Sequence, residues 1–182
     1  MAKKENSAKT PPTREKILGT AFELFIQHGY EGTSLNKIVG QSGVSKGAFY
    51  HYFPSKFDLY QETINRFFLL PFEKFDISGL AKLSPKKARA ALRAHYASLG
   101  EQMTGSSGQN MGPVLALMFD SFTRLPKFHK KTAAIYASLI KNLARSFAKP
   151  DKPDRRIKRR ARKFIAQLEG EILLRTIQNI PE

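Results

Sequence analysis

Gly43 and Pro54 leave room for only one short helix between them. A glycine closes the preceding segment in a left-handed turn, and a proline can neither donate nor fit in a helix interior. Yet the enclosed stretch "GVSKGAFYHYFPSK" (residues 43–56) crowds Phe49, Tyr50, Tyr52 and Phe53 behind the small residues Ser45, Gly47 and Ala48. A helix of about nine residues, capped by Ser45 and running through Phe53, does not hold in water alone, so Phe49, Tyr52 or Phe53 must anchor it on a neighbour. Upstream, "EGTSLNKIVGQSG" supplies a second short helix, with Thr33 or Ser34 as its cap and Leu35, Ile38 and Val39 as its inner face. A longer helix precedes both. It starts with Thr13 as N-cap, repeats Ile17, Ala21, Leu24 and His28 with Leu18, Phe22 and Phe25 beside them, and stops at Gly29.

Downstream, "SKFD" gives a capping box of Ser55 and Asp58 to a helix carrying Phe57, Tyr60, Ile64, Phe67 and Phe68, which Pro71 kinks or ends. Ser84-Pro85 starts another through Ala88, Leu92, Tyr96, Leu99 and Met103. "GSSGQNMG" (residues 105–112) is a loop, and a helix over 114–122 follows. Pro126 opens a longer helix through Ile135, Leu139, Leu143 and Phe147, "KPDKPD" interrupts, and a last helix covers about 155–178 on the stripe Ile157, Ala161, Phe164, Leu168 and Ile172. No stretch alternates as a strand would, and no repeat is present. The chain is all-α, with a basic arm over 1–12, a three-helix domain over 13–60 and a helical bundle over 61–182.

Two short helices joined by a glycine turn, after a longer helix, make a helix-turn-helix over about residues 34–53. One face of the second helix is held by its rings. The other must fit a major groove about 12 Å wide, which suits Ser45, Lys46, Gly47 and Ala48, while the tyrosine hydroxyls and Lys56 suit phosphate oxygens. The alternative is two core helices linked by Gly43. Charge favours a polyanion partner: the net charge is +16, although 21 of the 31 basic and 7 of the 15 acidic residues lie in residues 77–182. The absence of cysteine excludes disulfides and thiol nucleophiles. No apolar run approaches the roughly 20 residues of a membrane span, and the polar start lacks a signal-peptide core, so a cytoplasmic protein with no membrane partner is expected.

Residues 13–64 resemble the N-terminal domain of TetR-type (tetracycline-repressor-like) regulators. The first helix "ILGTAFELFIQHGY", the Thr33-Ser34 start, the run 43–47, Tyr50, Phe53 and the Lys56 after Pro54 carry the resemblance. It implies a homodimer on a palindromic double-stranded operator, usually a repressor, released by a small-molecule effector of unknown identity in the second domain. It implies phosphate contacts from Thr33, Tyr50, Tyr52 and Lys56, and groove contacts from Val44, Ser45, Lys46, Gly47 and His51, with Ser34 and Ala48 in the same DNA-binding set. Val39 stands where alanine is usual, and Gly40 costs its helix about 1 kcal/mol relative to alanine. The second half resembles the ligand domain of one branch of the family more loosely; there "LEG" (residues 168–170) lies in a long helix that packs with its neighbour on the partner subunit. Leu139, Leu143, Phe164, Leu168 and Ile172 are the expected dimerisation stripe.

Tyr96, Met103, Met118, Phe119, Phe122 and Tyr136 are candidates to line an apolar ligand cavity between helices, although core packing accounts for any one of them alone. The four histidines lack metal-ligand spacing, and "GSSGQNMG" lacks the lysine and preceding strand of a phosphate loop. No metal, cofactor or enzymatic role is expected. The run "RRIKRRARK" (residues 155–163) reads as a solvated helix face or as a patch for an acidic partner. Two functional readings stand: a repressor switched by an effector, and a constitutive DNA-binding regulator whose bundle only dimerises.

Overall fold

The computed structural model describes residues 12–104, 111–148 and 152–178. Most of the expected arm, most of the 105–112 loop and the first part of "KPDKPD" lie outside these. The described residues contain helices and no strand, and no helix among them is long and apolar enough to cross a membrane. The chain divides into two units that part between Ile64 and Asn65, where the sequence suggested 60/61.

The first unit holds α1 (Pro12–His28), α2 (Leu35–Ser42), α3 (Lys46–Tyr52) and α4 (Lys56–Ile64). α1 begins at Pro12, so Thr13 sits inside the first turn and is not the cap. The glycine turns are as expected: Gly29 and Gly43 have φ of 67° and 61°, the left-handed conformation only glycine takes without strain. Ser34 caps α2 by accepting the Lys37 N–H at 3.2 Å, and Ser45 caps α3 by accepting the Ala48 N–H at 3.1 Å. Ser55 accepts the Asp58 N–H and donates to its carboxylate at 2.6 Å, which starts α4 immediately after Pro54. α1 packs on α2 and α4, and Ile17, Leu24, Phe25, Ile38, Leu59 and Tyr60 are fully buried among these elements. Phe57, expected on the inner stripe, is exposed; Leu59 takes the interior position.

The second unit opens with a π-turn, Asn65–Leu69, before α5 (Leu70–Lys74). Pro71 has no N–H to offer the preceding turn, and a widened turn accommodates that loss. A 3-10 turn, Gly79–Lys82, leads to α6 (Pro85–Thr104), α7 (Gly112–Arg124), α8 (Pro126–Phe147) and α9 (Arg155–Gln178). Pro85 and Pro126 occupy first-turn positions, where their missing N–H costs nothing. Asp154 caps α9 by accepting the Ile157 N–H at 2.8 Å. The core joins Leu80, Leu92, Leu139, Leu143, Phe164 and Leu168.

His95 lies against this core. Its ring stacks on Phe75 with centroids 4.2 Å apart and meets Phe72 edge-on at 5.0 Å. Its Nε2 is buried with no hydrogen-bond partner among the described residues. Desolvation lowers its pKa from the ordinary 6.5. The unfolded chain therefore takes up this proton at a higher pH than the folded chain does. The neutral ring's contribution is present above the unfolded value and is lost as the pH falls from there through the lower folded value. The thermal unfolding midpoint should drop as the pH falls below about 6.5, and His95→Phe should flatten that limb. An equally steep limb in the variant would move the effect to other groups.

Candidate nucleic-acid interface and interior cavity

α3 has seven residues, too few to persist without tertiary support. Phe49 and Phe53, four residues apart and so on one face, are fully buried. Their ring centroids lie 6.0 Å apart. The Arg14 guanidinium of α1 stands 5.5 Å from the centre of the Phe53 ring and ion-pairs with Glu62 of α4, so one side chain ties three helices together. Tyr52 is half-buried and shares the anchoring only in part.

The opposite face is open. Ser45, Lys46, Gly47, Tyr50 and His51 are exposed, and Val44 and Ala48 are half-buried. A Cβ added at Gly47 would meet nothing within 4 Å outside its own helix. Ser34 is exposed at the start of α2. The face therefore presents a helix start with small side chains, one ammonium, one imidazole and one phenol, which is what a groove can admit. Two exposed lysines escaped the sequence reading. Lys37 Nζ lies 2.6 Å from His28 Nε2, and Lys16 reaches to 3.5 Å from where a Cβ on Gly43 would stand. Their positions on the polar faces of α2 and α1, beside the glycine turn, were the available signal.

Two residues expected to contact phosphate have other work. Thr33 is fully buried, and its hydroxyl donates inward to the carbonyls of Leu24 at 3.1 Å and Gly29 at 2.8 Å. It closes the α1–α2 turn and presents nothing to solvent. Lys56 donates to the carbonyls of Tyr30 at 2.8 Å and Thr33 at 3.1 Å, with its ammonium 4.1 Å from the centre of the Tyr30 ring. The first helical residue of α4 thus clamps that same turn. Tyr30 and Phe25 in turn flank Tyr60, with centroids 4.7 Å and 5.1 Å from it.

The second unit contains a cavity of about 570 Å³ lined by Tyr96, Met103, Met118, Tyr136, Phe72 and Phe128, among others. Four of the six expected lining residues are present. Phe119 points outward at 59% exposure. Phe122 stays off the lining and stacks on Phe128 at 5.2 Å, so it backs the wall from behind. Tyr96 and Tyr136, on α6 and α8, both donate to Oε1 of Glu169 on α9, the first at 2.6 Å. Burial pushes both phenols well above the usual tyrosine range, and the neighbouring Glu169 carboxylate adds to it. Both therefore remain protonated donors. Thr132 also lines the cavity, and its buried hydroxyl has no partner among the described residues.

The expected dimerisation stripe lies inside the subunit. Leu139 and Leu143 are fully buried, Phe164 and Leu168 are buried, and Ile172 lines the cavity. Side chains consumed by their own core cannot meet a second chain. Leu173, Leu174 and Ile177 on the other side of α9 are 49%, 59% and 56% exposed.

These features define a helix-turn-helix protein joined to a helical unit with an interior cavity. Residues 17–63 match the family model for bacterial regulatory proteins of the tetR family, so the first unit carries that family's DNA-binding domain. It is 56% identical over 43 residues to the uncharacterized HTH-type transcriptional regulator YxaF of Bacillus subtilis, across 24% of this chain and 22% of that one. It is 46% identical over 52 residues to the HTH-type transcriptional regulator QacR of Staphylococcus aureus, across 29% and 28%. These matches span less than a third of the curated relatives' length. A solved transcriptional regulator from Aquifex aeolicus, described as "TerR/AcrR family", is 25% identical with a TM-score of 0.66, covering 93% of this chain and 90% of that one.

Replacing Lys56 by methionine keeps most of the stem and removes the two hydrogen bonds to the 30–33 turn. It should cost about 1.5–3 kcal/mol in urea unfolding, the range for hydrogen bonds that involve a charged group. A loss that appears only in DNA affinity, with stability intact, would return Lys56 to a phosphate-binding role.

Proposed function

We propose that the chain is a DNA-binding transcriptional regulator, acting as a homodimer on a two-fold symmetric site and leaving it when a small molecule enters the cavity. The observation that carries the reading is the two-faced α3: Phe49 and Phe53 fully buried, Ser45 to Gly47 exposed. Each subunit inserts the front of α3 in one major groove, with Lys46, Ser45 and His51 facing base edges and Tyr50, Ser34 and Lys37 facing the backbone. Dimer geometry sets the two helices about 34–36 Å apart, one helical turn of DNA, or a multiple of that. Repression is the mode the family resemblance favours.

The cavity supports the switched reading over a constitutive one, since a bundle that only dimerised would have no need of a largely apolar cavity of about 570 Å³ that opens to solvent past Arg93 and Arg175. α4 directly follows the reading helix and leads in sequence to the second unit. A ligand that shifts it changes the separation of the two α3 helices. To move occupancy from 99:1 to 1:99, the ligand must favour one separation by about 5.5 kcal/mol.

Selection of bound fragments from random DNA, then footprinting, tests the reading directly; recovery of a palindrome is expected. Gly47→Ala places a methyl on the open face and should weaken palindrome binding by roughly 1–3 kcal/mol, about the worth of one good base contact. Its fold should be as stable as the parent or up to about 1 kcal/mol more so. Gly40→Ala is the control: a Cβ there also meets nothing within 4 Å, so stability should rise while DNA affinity stays put. Unchanged affinity in Gly47→Ala would remove α3 from the groove.

For the dimer, the exposed strip Leu173, Leu174 and Ile177 on α9 is the proposed contact. Leu174→Glu should yield monomers in sedimentation, and palindrome affinity should fall with them. A variant that sediments like the parent would place the interface elsewhere.

A further inference from the structure

The second unit carries a concentration of positive charge that its own structure does nothing to offset. α9 opens with "RRIKRRARK" (residues 155–163), seven cations in nine residues, all seven exposed. Between Asp120 and Glu169 the sequence offers two carboxylates, Asp151 and Asp154. Asp154 is engaged in capping α9, where it accepts the Ile157 N–H at 2.8 Å. Among the described residues no cation of this run forms an ion pair.

The charge is not confined to one helix. Arg89 of α6 and Arg160 of α9 stand over the same ring, Phe147 at the end of α8, at 5.6 Å and 5.3 Å from its centre. Arg93, one turn beyond Arg89, stands over Phe164 at 5.0 Å. These ring contacts join the cationic start of α9 to that of α6, where Lys86 and Lys87 are also exposed, as one surface.

Left to itself, the arrangement works against the fold. Cations one turn apart, such as Arg155 and Arg159, Arg156 and Arg160, or Arg159 and Lys163, repel each other. The first turn of a helix also carries the positive end of its dipole, where cations are disfavoured and anions favoured. No acidic residue stands in the first turn of α6 or α9. A polyanion laid across the surface relieves both effects, and breaches of local rules of this kind mark functional sites.

Five of the seven cations are arginines, whose planar forks match phosphate oxygens two at a time. Phosphates occur in nucleic acid and in lipid headgroups, and the apolar side of α9 favours the first. A helix that lies in a membrane surface keeps an apolar face free to sink. Here Ala161, Phe164, Ile165 and Leu168 are buried in the unit's own core, and Ile157 packs against it. The run extends about 12 Å along its helix axis. Duplex DNA carries one charge per about 1.7 Å of axis, so several phosphates come within its reach.

We propose that the basic surface of α6 and α9 is a second binding surface for duplex DNA, made by phosphate contacts, indifferent to sequence and separate from the reading face of α3. It goes beyond the operator reading and does not rest on it.

The test follows the fluorescence anisotropy of a labelled duplex of scrambled sequence with the full-length protein. Arg156→Gln, Arg159→Gln and Lys163→Gln, three exposed positions on one face of α9, are combined in one variant. It should bind the scrambled duplex about tenfold or more weakly. It should also unfold at or above the parent's temperature, because repulsion along the helix is relieved. The control combines Lys127→Gln, Lys130→Gln and Lys131→Gln, exposed near the start of α8 and about 24 Å along that helix from Phe147. It removes the same charge and should weaken binding less than about threefold. Equal losses in the two variants would reduce the effect to net charge, and an α9 variant that binds like the parent would leave all DNA contact to α3; either overturns the proposal. Vesicles of equal parts phosphatidylcholine and phosphatidylglycerol supply the other arm. Parent protein that prefers them to the duplex, with the α9 variant losing that preference, would overturn it in favour of a lipid surface. The two readings fail separately. Loss of scrambled-duplex binding in the α9 variant, with no palindrome recovered by selection, would keep this surface and sink the operator reading; a recovered palindrome with an unaffected α9 variant would do the reverse.

Discussion

The first unit depends on the burial of two rings. Phe49 and Phe53, with half-buried Tyr52 in a lesser part, anchor a seven-residue helix on its inner face, and without their complete removal from water α3 would be two fluctuating turns. Each ring contributes on the order of 1.5–3 kcal/mol when fully buried, a sizeable fraction of the roughly 5–15 kcal/mol by which a domain is stable. Everything proposed about groove reading assumes that this helix arrives already formed. A reading helix that had to fold on the DNA would lose binding energy to ordering.

The turn between α1 and α2 is held from the inside by Thr33 and from the flank by Lys56, and both bind carbonyl groups. This explains a particular failure of sequence reasoning. A threonine at a helix start and a lysine after a proline carry no mark of whether they donate outward to an anion or inward to the main chain. The same donors serve either end, and only the position of α4 over residues 30–33 decides. By contrast, the caps at Ser34, Ser45 and Ser55 and the turns at Gly29 and Gly43 were legible, because each depends on backbone conformation within three or four residues.

A second failure has a different cause. Periodicity marks an apolar face but not what covers it. The stripe through Leu139, Leu143, Phe164 and Leu168 reads equally well as core or as dimer contact, and the fold spends it on the core. The offset set Leu173, Leu174 and Ile177 was visible too, since residues one and four apart widen a stripe, but nothing in the sequence separates a broad core face from two faces. The phenols of Tyr96 and Tyr136 converge on Glu169 from sites 73 and 33 residues away in sequence. No local pattern encodes that meeting.

The exposed cations over residues 155–163, on the first half of α9, have one practical outcome. Ion release from any sugar-phosphate or sulfated polymer will reward their approach, whatever its sequence. Heparin resins should retain the chain strongly, and in dilute buffer random DNA will compete with a true operator. Since each neutralised phosphate steepens the decline with ionic strength, discrimination becomes visible only when the buffer is salty enough to strip that background away.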